Sequence, residues 1–209
     1  MSAIQEQCFF FEPNTEREGE RVEFRLVYDG RLPAASQSEN RSKEKHAIRK
    51  ALHPQLRTLW RSPHPTFRRL ARTDTDVMNA HIWGDSFARC GYKFVPLVCD
   101  CFNMSCSLDI LFLRRDMPGG LIQSGGDLDN RIKVLFDALR LPTHVGELAG
   151  ASPAEDEDPF YVLLEDDRLI TQLKVTTDLL LAPPRDSEPQ NDVRLIIHVT
   201  TFHVNEPTF

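Results

Sequence analysis

Residues 125–133 bring two carboxylates, a carboxamide and an ammonium close together, in the order Gly-Gly-Asp-Leu-Asp-Asn-Arg-Ile-Lys. A second acidic pair, Asp166 and Asp167, follows the apolar run at residues 161–164. Carboxylate oxygens are ligands that Mg²⁺ prefers, and a bound Mg²⁺ activates water and stabilises charge that develops at a phosphorus atom. If the fold brings the two groups together, they form a divided metal site suited to making or breaking a phosphodiester bond.

The surroundings of the D-x-D motif argue against two other uses of it. Phosphatases and nucleotidyltransferases usually carry this motif on or beside a strand, after apolar residues, whereas Ser-Gly-Gly precedes it here. A calcium loop of the EF-hand type needs an oxygen ligand at its fifth position and a glutamate at its twelfth. Arg131 and Ala138 occupy those positions. A structural alternative stays open, in which the motif only caps a helix; the combination with Lys133 and the later acidic pair favours the metal site.

The hydrophobic pattern predicts the elements that position these groups. One apolar stripe at helical spacing predicts a helix that begins after Asp127 as its N-cap; its members are Leu128, Ile132, Leu135, Phe136 and Leu139. A second helix is predicted at residues 42–52; Pro54 interrupts it and can open a further helical turn that carries Leu56, Leu59 and Trp60. Apolar and polar alternation predicts strands at residues 21–28, 92–100, 103–113, 169–177 and 192–202, with a short one at 161–164. The expected fold is α+β: a mixed sheet of about four or five strands with two main helices packed on it.

The length and composition suit one globular domain. The chain has 209 residues, of which 41% are hydrophobic and 27% charged, values typical of a single domain with its own core. We expect residues 1–20 to be an N-terminal appendage and residues 21–209 one domain with a long acidic loop at 141–160. Because the N-terminus lacks the pattern of an export signal and no long apolar stretch exists, we expect a cytoplasmic protein without a membrane partner.

The charges are distributed unevenly along the chain. The net charge is −6, yet residues 41–72 contain ten Lys or Arg and one acid, while residues 147–167 contain eight acids and no base. This asymmetry predicts separate surfaces, one of which is a basic face for a polyanion; a solvated charged helix is the alternative for the basic run. The predicted nucleic-acid-binding residues are Lys43, Lys45, Arg49, Lys50, Arg57, Arg114 and Arg115.

Cysteine, tryptophan and histidine residues suggest only supporting roles. The five cysteines include no C-x-x-C pair, so we expect free thiols; Cys99, Cys101 and Cys106 are a weaker candidate for zinc. Trp60 and Trp83 are expected to be core anchors rather than surfaces for stacking bases. The basic region also contains His46, His53 and His64, which are candidates for additional phosphate contacts.

The two acidic motifs together resemble the RusA family of Holliday junction resolvases. The family pattern is D-L-D-N, a lysine four residues after the second Asp, a helix ending in D-A-L, and a D-D pair ahead of a strand. Residues 126–139 and 164–170 reproduce this pattern as Gly-Asp-Leu-Asp-Asn-Arg-Ile-Lys-Val-Leu-Phe-Asp-Ala-Leu and Leu-Glu-Asp-Asp-Arg-Leu-Ile. About twenty positions carry the specific match, although residues 21–202 can be laid on the family's order of elements.

The resemblance implies an enzyme, a Mg²⁺-dependent endodeoxyribonuclease that cuts Holliday junctions or other branched DNA in recombination and repair. It implies a homodimer, Mn²⁺ as a substitute ion and no small-molecule cofactor. The metal ligands implied are Asp127, Asp129, Asp166 and Asp167. The catalytic residues implied are Asp127, Asp129, Lys133 and Asp167. Asn130 and Asp137 match motif positions of supporting role.

This chain departs from the family pattern in length and charge. It is longer than family members, its connection between the helix and the D-D pair is longer and acidic, and only Arg114 and Arg115 represent the basic stretch before D-L-D-N. Two alternatives therefore stand beside the resolvase hypothesis. One is a catalytically inert module that binds nucleic acid or protein, and the other is a metal-dependent nuclease with a different nucleic-acid substrate.

Overall fold

Two mixed β-sheets and two long helices form the part of the protein that the structure describes, which confirms the predicted α+β class. The computed structural model describes residues 21–33, 41–61, 85–115, 128–181 and 192–203. The predicted appendage at residues 1–20, Asp127, Trp83 and His64 lie outside these ranges. The helices are α1 (Arg41–Trp60) and α2 (Leu128–Leu139). The strands are β1 (Val22–Arg31), β2 (Ala88–Arg89), β3 (Tyr92–Val98), β4 (Met104–Arg114), β5 (Phe160–Leu164), β6 (Ile170–Leu179) and β7 (Asp192–His203).

The larger sheet has four strands in the order β1-β7-β4-β6. Its first three strands are antiparallel neighbours, and β6 lies parallel to β4 at one edge. In β4, the residues that alternate from Cys106 to Phe112 are buried, and the residues between them are partly exposed. Because successive side chains of a strand point to opposite faces, this alternation gives the sheet one apolar face for the helices and one polar face.

The smaller sheet was not predicted as a separate unit. It has the order β2-β3-β5, in which β3 and β5 run parallel and pair from Phe94 with Phe160 to Val98 with Leu164. Every residue of β5 is buried. A short, continuously apolar strand is typical of a parallel sheet that is covered on both faces. The carboxyl ends of β3 and β5 therefore meet at one edge, and this edge leads into the acidic pair.

Helix α1 continues through Pro54 without the interruption that the sequence predicts between residues 42–52 and the further helical turn. Proline removes one backbone hydrogen bond within a helix. Pro54 lies on the exposed side of α1, where water can satisfy the carbonyl that loses its donor. Buried Ile48, Leu52 and Leu56 on the opposite side keep the helix packed against the core. Tertiary packing thus outweighs the local cost of the proline.

One hydrophobic core joins both helices to the inner face of the larger sheet and to β5. Helix α1 contacts β1, β5 and α2, so it connects the larger sheet, the smaller sheet and the second helix. Among the helices in the described ranges, none has the length and apolar character needed to cross a membrane.

Candidate active site

Helix α2 presents Asp129 and Lys133 to solvent because its opposite side is anchored in the core. Ile132, Leu135 and Leu139 are almost completely buried, and each such side chain contributes about 1.5–3 kcal/mol to folding. The side chains of Asp129 and Lys133 are 60% and 71% exposed, and Lys133 Nζ lies 3.6 Å from Asp129 Oδ2. The carboxylate and the ammonium thus form an accessible pair one helical turn apart.

The second half of the predicted site begins where β5 ends. Asp166 Oδ1 accepts a hydrogen bond of 3.0 Å from the backbone N–H of Arg168, which caps the 3-10 turn Asp167–Leu169. Leu169 at the end of this turn is buried in the core, whereas Asp167 is exposed. The apolar strand and Leu169 therefore fix both ends of a short segment that displays two carboxylates.

The structure brings the two halves onto neighbouring elements. The 3-10 turn Asp167–Leu169 contacts α2, and Leu169 shares the same core cluster with Leu135 of the helix. The chain after α2 is tied to the end of β5 by a hydrogen bond of 3.0 Å from Leu141 N to Leu164 O. Within the described ranges, no three His, Cys, Asp or Glu side chains form a group that could hold a metal ion. The ligand role of Asp127, which lies outside those ranges, stays a prediction.

Because β3 and β5 run parallel, Asp100, Glu165 and Arg168 lie beside the acidic pair Asp166 and Asp167. We call these five residues the charged rim. The backbone N–H of Asp100 donates to Glu165 Oε2 at 2.9 Å, and Glu165 N donates to Val98 O at 2.9 Å. The Arg168 guanidinium forms an ion pair with the Asp100 carboxylate. These residues were not predicted from the sequence, because nothing local in either strand indicates that β3 and β5 are neighbours.

Glu165 is the acid of the charged rim whose pKa is shifted upward. Burial raises the pKa of Glu165, the nearby Asp166 carboxylate raises it further, and Arg89 opposes both. Desolvation and a like charge both disfavour an ionised carboxylate. Glu165 is therefore suited to hold a proton next to the acidic pair at a higher pH than an ordinary glutamate.

The acidic segment 141–160, predicted as a long loop, packs against α1. It contains the 3-10 turns Val145–Leu148 and Glu155–Glu157, and its Glu147 and Glu157 are buried. Arg49 Nη2 lies 2.9 Å from Glu147 Oε2, and Lys50 Nζ lies 2.7 Å from Glu157 Oε1. Two ion pairs thus join the basic helix to the acidic segment, and the pair of Arg49 with Glu147 lies inside the molecule.

These pairs lower the pKa of the two buried glutamates. Burial alone would raise the pKa of Glu147, but the Thr143 hydroxyl and the guanidinium groups of Arg140 and Arg49 outweigh burial and leave it lowered. Burial likewise opposes the shift at Glu157, whose pKa is lowered chiefly by the hydrogen bond from Lys50. Both carboxylates are therefore held in their charged form by their partners.

Several predicted nucleic-acid-binding residues have other partners in the structure. Arg49 is 1% exposed, which corrects its assignment to an exposed basic face: its charge stabilises the Glu147 carboxylate and cannot reach a ligand at the surface. Lys45 forms an ion pair with Asp137, and its side chain is 11% exposed. Arg57 donates to the backbone carbonyl of Asp156. Lys43 stays exposed on α1.

The two arginines that precede the D-L-D-N motif are also withdrawn from solvent, Arg114 more than Arg115. Arg114 is 3% exposed, so it cannot belong to an exposed nucleic-acid-binding face, which corrects its assignment. Arg115 Nη2 lies 3.9 Å from Asp192 Oδ2, and its side chain is 28% exposed. Asp137, a motif position of supporting role, accepts a hydrogen bond from Arg140 and forms an ion pair with Lys45. It thereby joins α2 to α1, and it lies apart from the exposed pair Asp129 and Lys133.

The remaining candidates act as packing residues. His53 Nδ1 accepts from the backbone N–H of Tyr161, and Nε2 contacts the carbonyl oxygen of Asp156, so the ring joins α1 to the segment before β5. Trp60 is buried and packs beside Tyr161. Burial raises the pKa of the Cys106 thiol to about 12. The cysteines of the described ranges are free, and they form no metal-binding group with other residues there.

Comparison of the chain with protein-family models, curated proteins and solved structures finds no significant match. The function is therefore inferred from the residues themselves and from their positions in the fold.

Proposed function

We propose that the protein is a Mg²⁺-dependent DNA endonuclease that hydrolyses phosphodiester bonds in Holliday junctions or other branched DNA. One observation supports this most directly. Helix α2, which exposes Asp129 and Lys133, contacts the 3-10 turn that carries Asp167 and is capped by Asp166. Two motifs separated by more than thirty residues in the sequence thus lie on adjoining elements, as a divided site requires.

The donor atoms available there fit Mg²⁺. This ion prefers oxygen ligands, needs only one or two protein carboxylates, and keeps several waters that a substrate phosphate can replace. Asp129 and Asp167 are exposed carboxylates, so their oxygens can reach an ion without disturbing the core. When bound, the ion would supply an activated water and stabilise the charge of the transition state. Mn²⁺, which shares these ligand preferences, is the proposed substitute.

The protein groups have distinct proposed roles. Asp129 and Asp167 hold the ion, with Asp127 and Asp166 beside them. Lys133 is exposed and lies 3.6 Å from Asp129 Oδ2. Its ammonium therefore steadies the ligand carboxylate and can also bind a non-bridging phosphate oxygen.

The second candidate is a module that binds nucleic acid or protein without cutting, and a specific observation favours its protein-binding form. Cutting branched DNA calls for a large positively charged surface. On α1, however, Lys45, Arg49 and Lys50 pair with acids of the same chain. This neutralisation weakens the argument for a DNA substrate more than it weakens the argument for the carboxylate site. The third candidate is a metal-dependent nuclease that acts on a different nucleic acid.

Cleavage assays separate these candidates. The full chain is incubated with a labelled four-way junction, a linear duplex, a single strand and an RNA, each with Mg²⁺ or with EDTA. We expect Mg²⁺-dependent nicking of the junction in preference to the linear duplex. Absence of cutting on all four substrates would reject the nuclease proposal, and preferential cutting of RNA would reject the substrate.

Substitution of one proposed ligand tests the site. Asp129→Asn removes metal-binding charge with little change in volume, so we expect it to abolish cutting while the circular dichroism spectrum and DNA binding are retained. The matched control is Asp156→Asn, because the Asp156 side chain is exposed and only its backbone carbonyl contacts α1 residues. Normal cutting by the Asp129 variant would show that the site has been placed wrongly.

A further inference from the structure

Among the strands that the structure describes, β6 has one partner and lies at the edge of its sheet. It pairs with β4, and no other strand in the described ranges pairs with its far side. Six of its ten residues are exposed: Thr171, Gln172, Leu173, Lys174, Thr176 and Asp178. A strand of this length at an edge presents a row of backbone N–H and C=O groups, which is a template for another strand.

The usual devices that prevent pairing at an edge are weak in β6. Short length, proline, bulges and unpaired charges are the common protections. Residues 170–179 contain no proline, and the irregular register with β4 occurs only at the start of the strand, between Cys106 and Ser107 of β4. Its one lysine, Lys174, has its ammonium 2.7 Å from the Asp109 carboxylate on the neighbouring strand. Among the described residues, the edge from Gln172 to Thr177 is therefore regular and uncovered. At its end the backbone N–H of Leu179 donates to Asp178 Oδ1 at 2.7 Å, a contact that pairing with a second copy would exchange for a bond across the new ladder.

The sequence of β6 is complementary to itself when two copies run antiparallel. If a two-fold axis passes beside Thr176, Lys174 of each copy lies opposite Asp178 of the other, and Leu173 lies opposite Leu179. Opposite charges and apolar pairs directly across an antiparallel ladder are stabilising, whereas like charges are destabilising. Axes at Lys174 or at Asp178 would instead place two like charges opposite each other.

The two faces of β6 also suit this register. Val175 packs against the core, so Leu173, Val175 and Leu179 lie on the apolar side of the sheet. Leu173 is 43% exposed in the single chain. Pairing with the Leu179 side chain of a second copy would extend the apolar face of the sheet and cover this side chain, while Lys174 and Asp178 meet on the polar face.

We propose that β6 pairs with β6 of a second copy of this chain, antiparallel and with Thr176 at the two-fold axis, so that the two four-stranded sheets become one continuous sheet. The proposal depends on the edge and its charges, and it is independent of metal binding or cleavage. Its test uses protein alone, so its failure is distinguishable from failure of the proposed nuclease activity.

Charge reversal tests the interface by sedimentation equilibrium of the full chain without metal or DNA. The variants are made in an Asp109→Asn background, which removes the partner of Lys174 within the chain; this background is expected to dimerise like the wild type. Lys174→Asp and Asp178→Lys each replace two attractive pairs by two repulsive ones, which should weaken the dimer about tenfold or more. The double reversal should restore it.

Three results would overturn the proposal. They are a wild-type chain that stays monomeric across the concentration range, single variants that dimerise like their background, and a folded double variant that does not recover. Circular dichroism of each variant identifies any loss of folding.

A cross-linking experiment tests the register directly. Thr176→Cys should give a disulfide-linked dimer under mild oxidation, because the two introduced thiols would face each other across the axis. Gln172→Cys is the matched control, since its position is also exposed and on the polar face but would lie opposite Leu180 of the other copy. Cross-linking of the Gln172 variant in preference to the Thr176 variant would mean a different register and would reject the proposal.

Discussion

Replacing Glu147 by glutamine should destabilise the protein more strongly than any other single exchange of a carboxylate for an amide in the acidic segment. The Glu147 carboxylate is 2.9 Å from Arg49 Nη2, 2.7 Å from Thr143 Oγ1 and 3.4 Å from Arg140 Nη2. The Arg49 side chain is completely buried and that of Glu147 is 6% exposed. The exchange keeps the size of the side chain but removes its charge and turns one acceptor oxygen into a donor facing other donors.

The expected magnitude follows from the partners that remain. Removing one member of a buried ion pair costs about 3–5 kcal/mol, because the other charge is left buried and uncompensated. Arg49 keeps the backbone carbonyls of Arg140, Glu147 and Asp137 as acceptors. These bonds continue to stabilise the guanidinium, so we expect the low end of that range, about 3 kcal/mol.

The assay is urea unfolding followed by circular dichroism, comparing Glu147→Gln with the wild type at neutral pH. The control is Glu155→Gln, because Glu155 is exposed on the same segment and surface substitutions usually change stability by less than about 0.5 kcal/mol. A loss below about 1 kcal/mol, the contribution of one ordinary hydrogen bond, would refute the reasoning. It would mean that the packing of Leu148 and its neighbours, rather than the ion pair, holds the segment on α1.

Two further predictions concern pH and nucleic-acid binding. Burial lowers the pKa of His46 and His53, so the unfolded chain binds protons first and stability should begin to fall as the pH drops below about 6.5. A second fall in stability is expected below about pH 4.3, because the lowered pKa of Glu147 contributes stability only while its carboxylate is ionised. Urea unfolding midpoints measured across this pH range provide the check, and a midpoint that does not change with pH would contradict both predictions. Lys50→Gln should leave DNA affinity within about twofold, since Lys50 pairs with an acid of its own chain, whereas Lys133→Gln should weaken binding and reduce its salt dependence. Fluorescence anisotropy titrations at several salt concentrations measure both variants, and equal losses of affinity would contradict the assignment of the exposed pair.

The fold class could be predicted because its evidence is local. The apolar stripe of α2 and the alternation of β4 and β7 are visible over a dozen residues, and each corresponds to an element that the structure contains. The extent of α1 could not be predicted in this way. Pro54 is a strong local sign of a helix end, and only the buried contacts of Leu52 and Leu56 on either side show why the helix continues.

The candidate site could be predicted only in part. The types and spacing of Asp129, Lys133, Asp166 and Asp167 suggested it, and the contact between their elements is consistent with it. The neighbouring Glu165 could not be assigned a role from sequence. Its raised pKa depends on burial beside the end of β3, a strand more than sixty residues earlier in the chain.

The basic and acidic runs show most clearly what depends on tertiary structure. A list of charges along the chain predicts an exposed basic face, because each run considered alone must be solvated. The structure places Arg49 and Glu147, which are far apart in sequence, in direct contact and almost without exposure. Two opposite charges that meet inside a protein satisfy each other and are no longer available to a partner.

By itself, the sequence determined the α+β class, the helix that carries the D-L-D-N motif and the carboxylates that make a metal-dependent reaction plausible. These depend on periodicity and side-chain chemistry, which are properties of short segments. Tertiary structure decided that β3 and β5 run parallel and end beside the acidic pair, that Arg49 and Lys50 pair with Glu147 and Glu157, and that β6 lies at an edge among the described strands. Each of these depends on which distant segments become neighbours, and that is set by the burial of the whole core rather than by any segment of the chain.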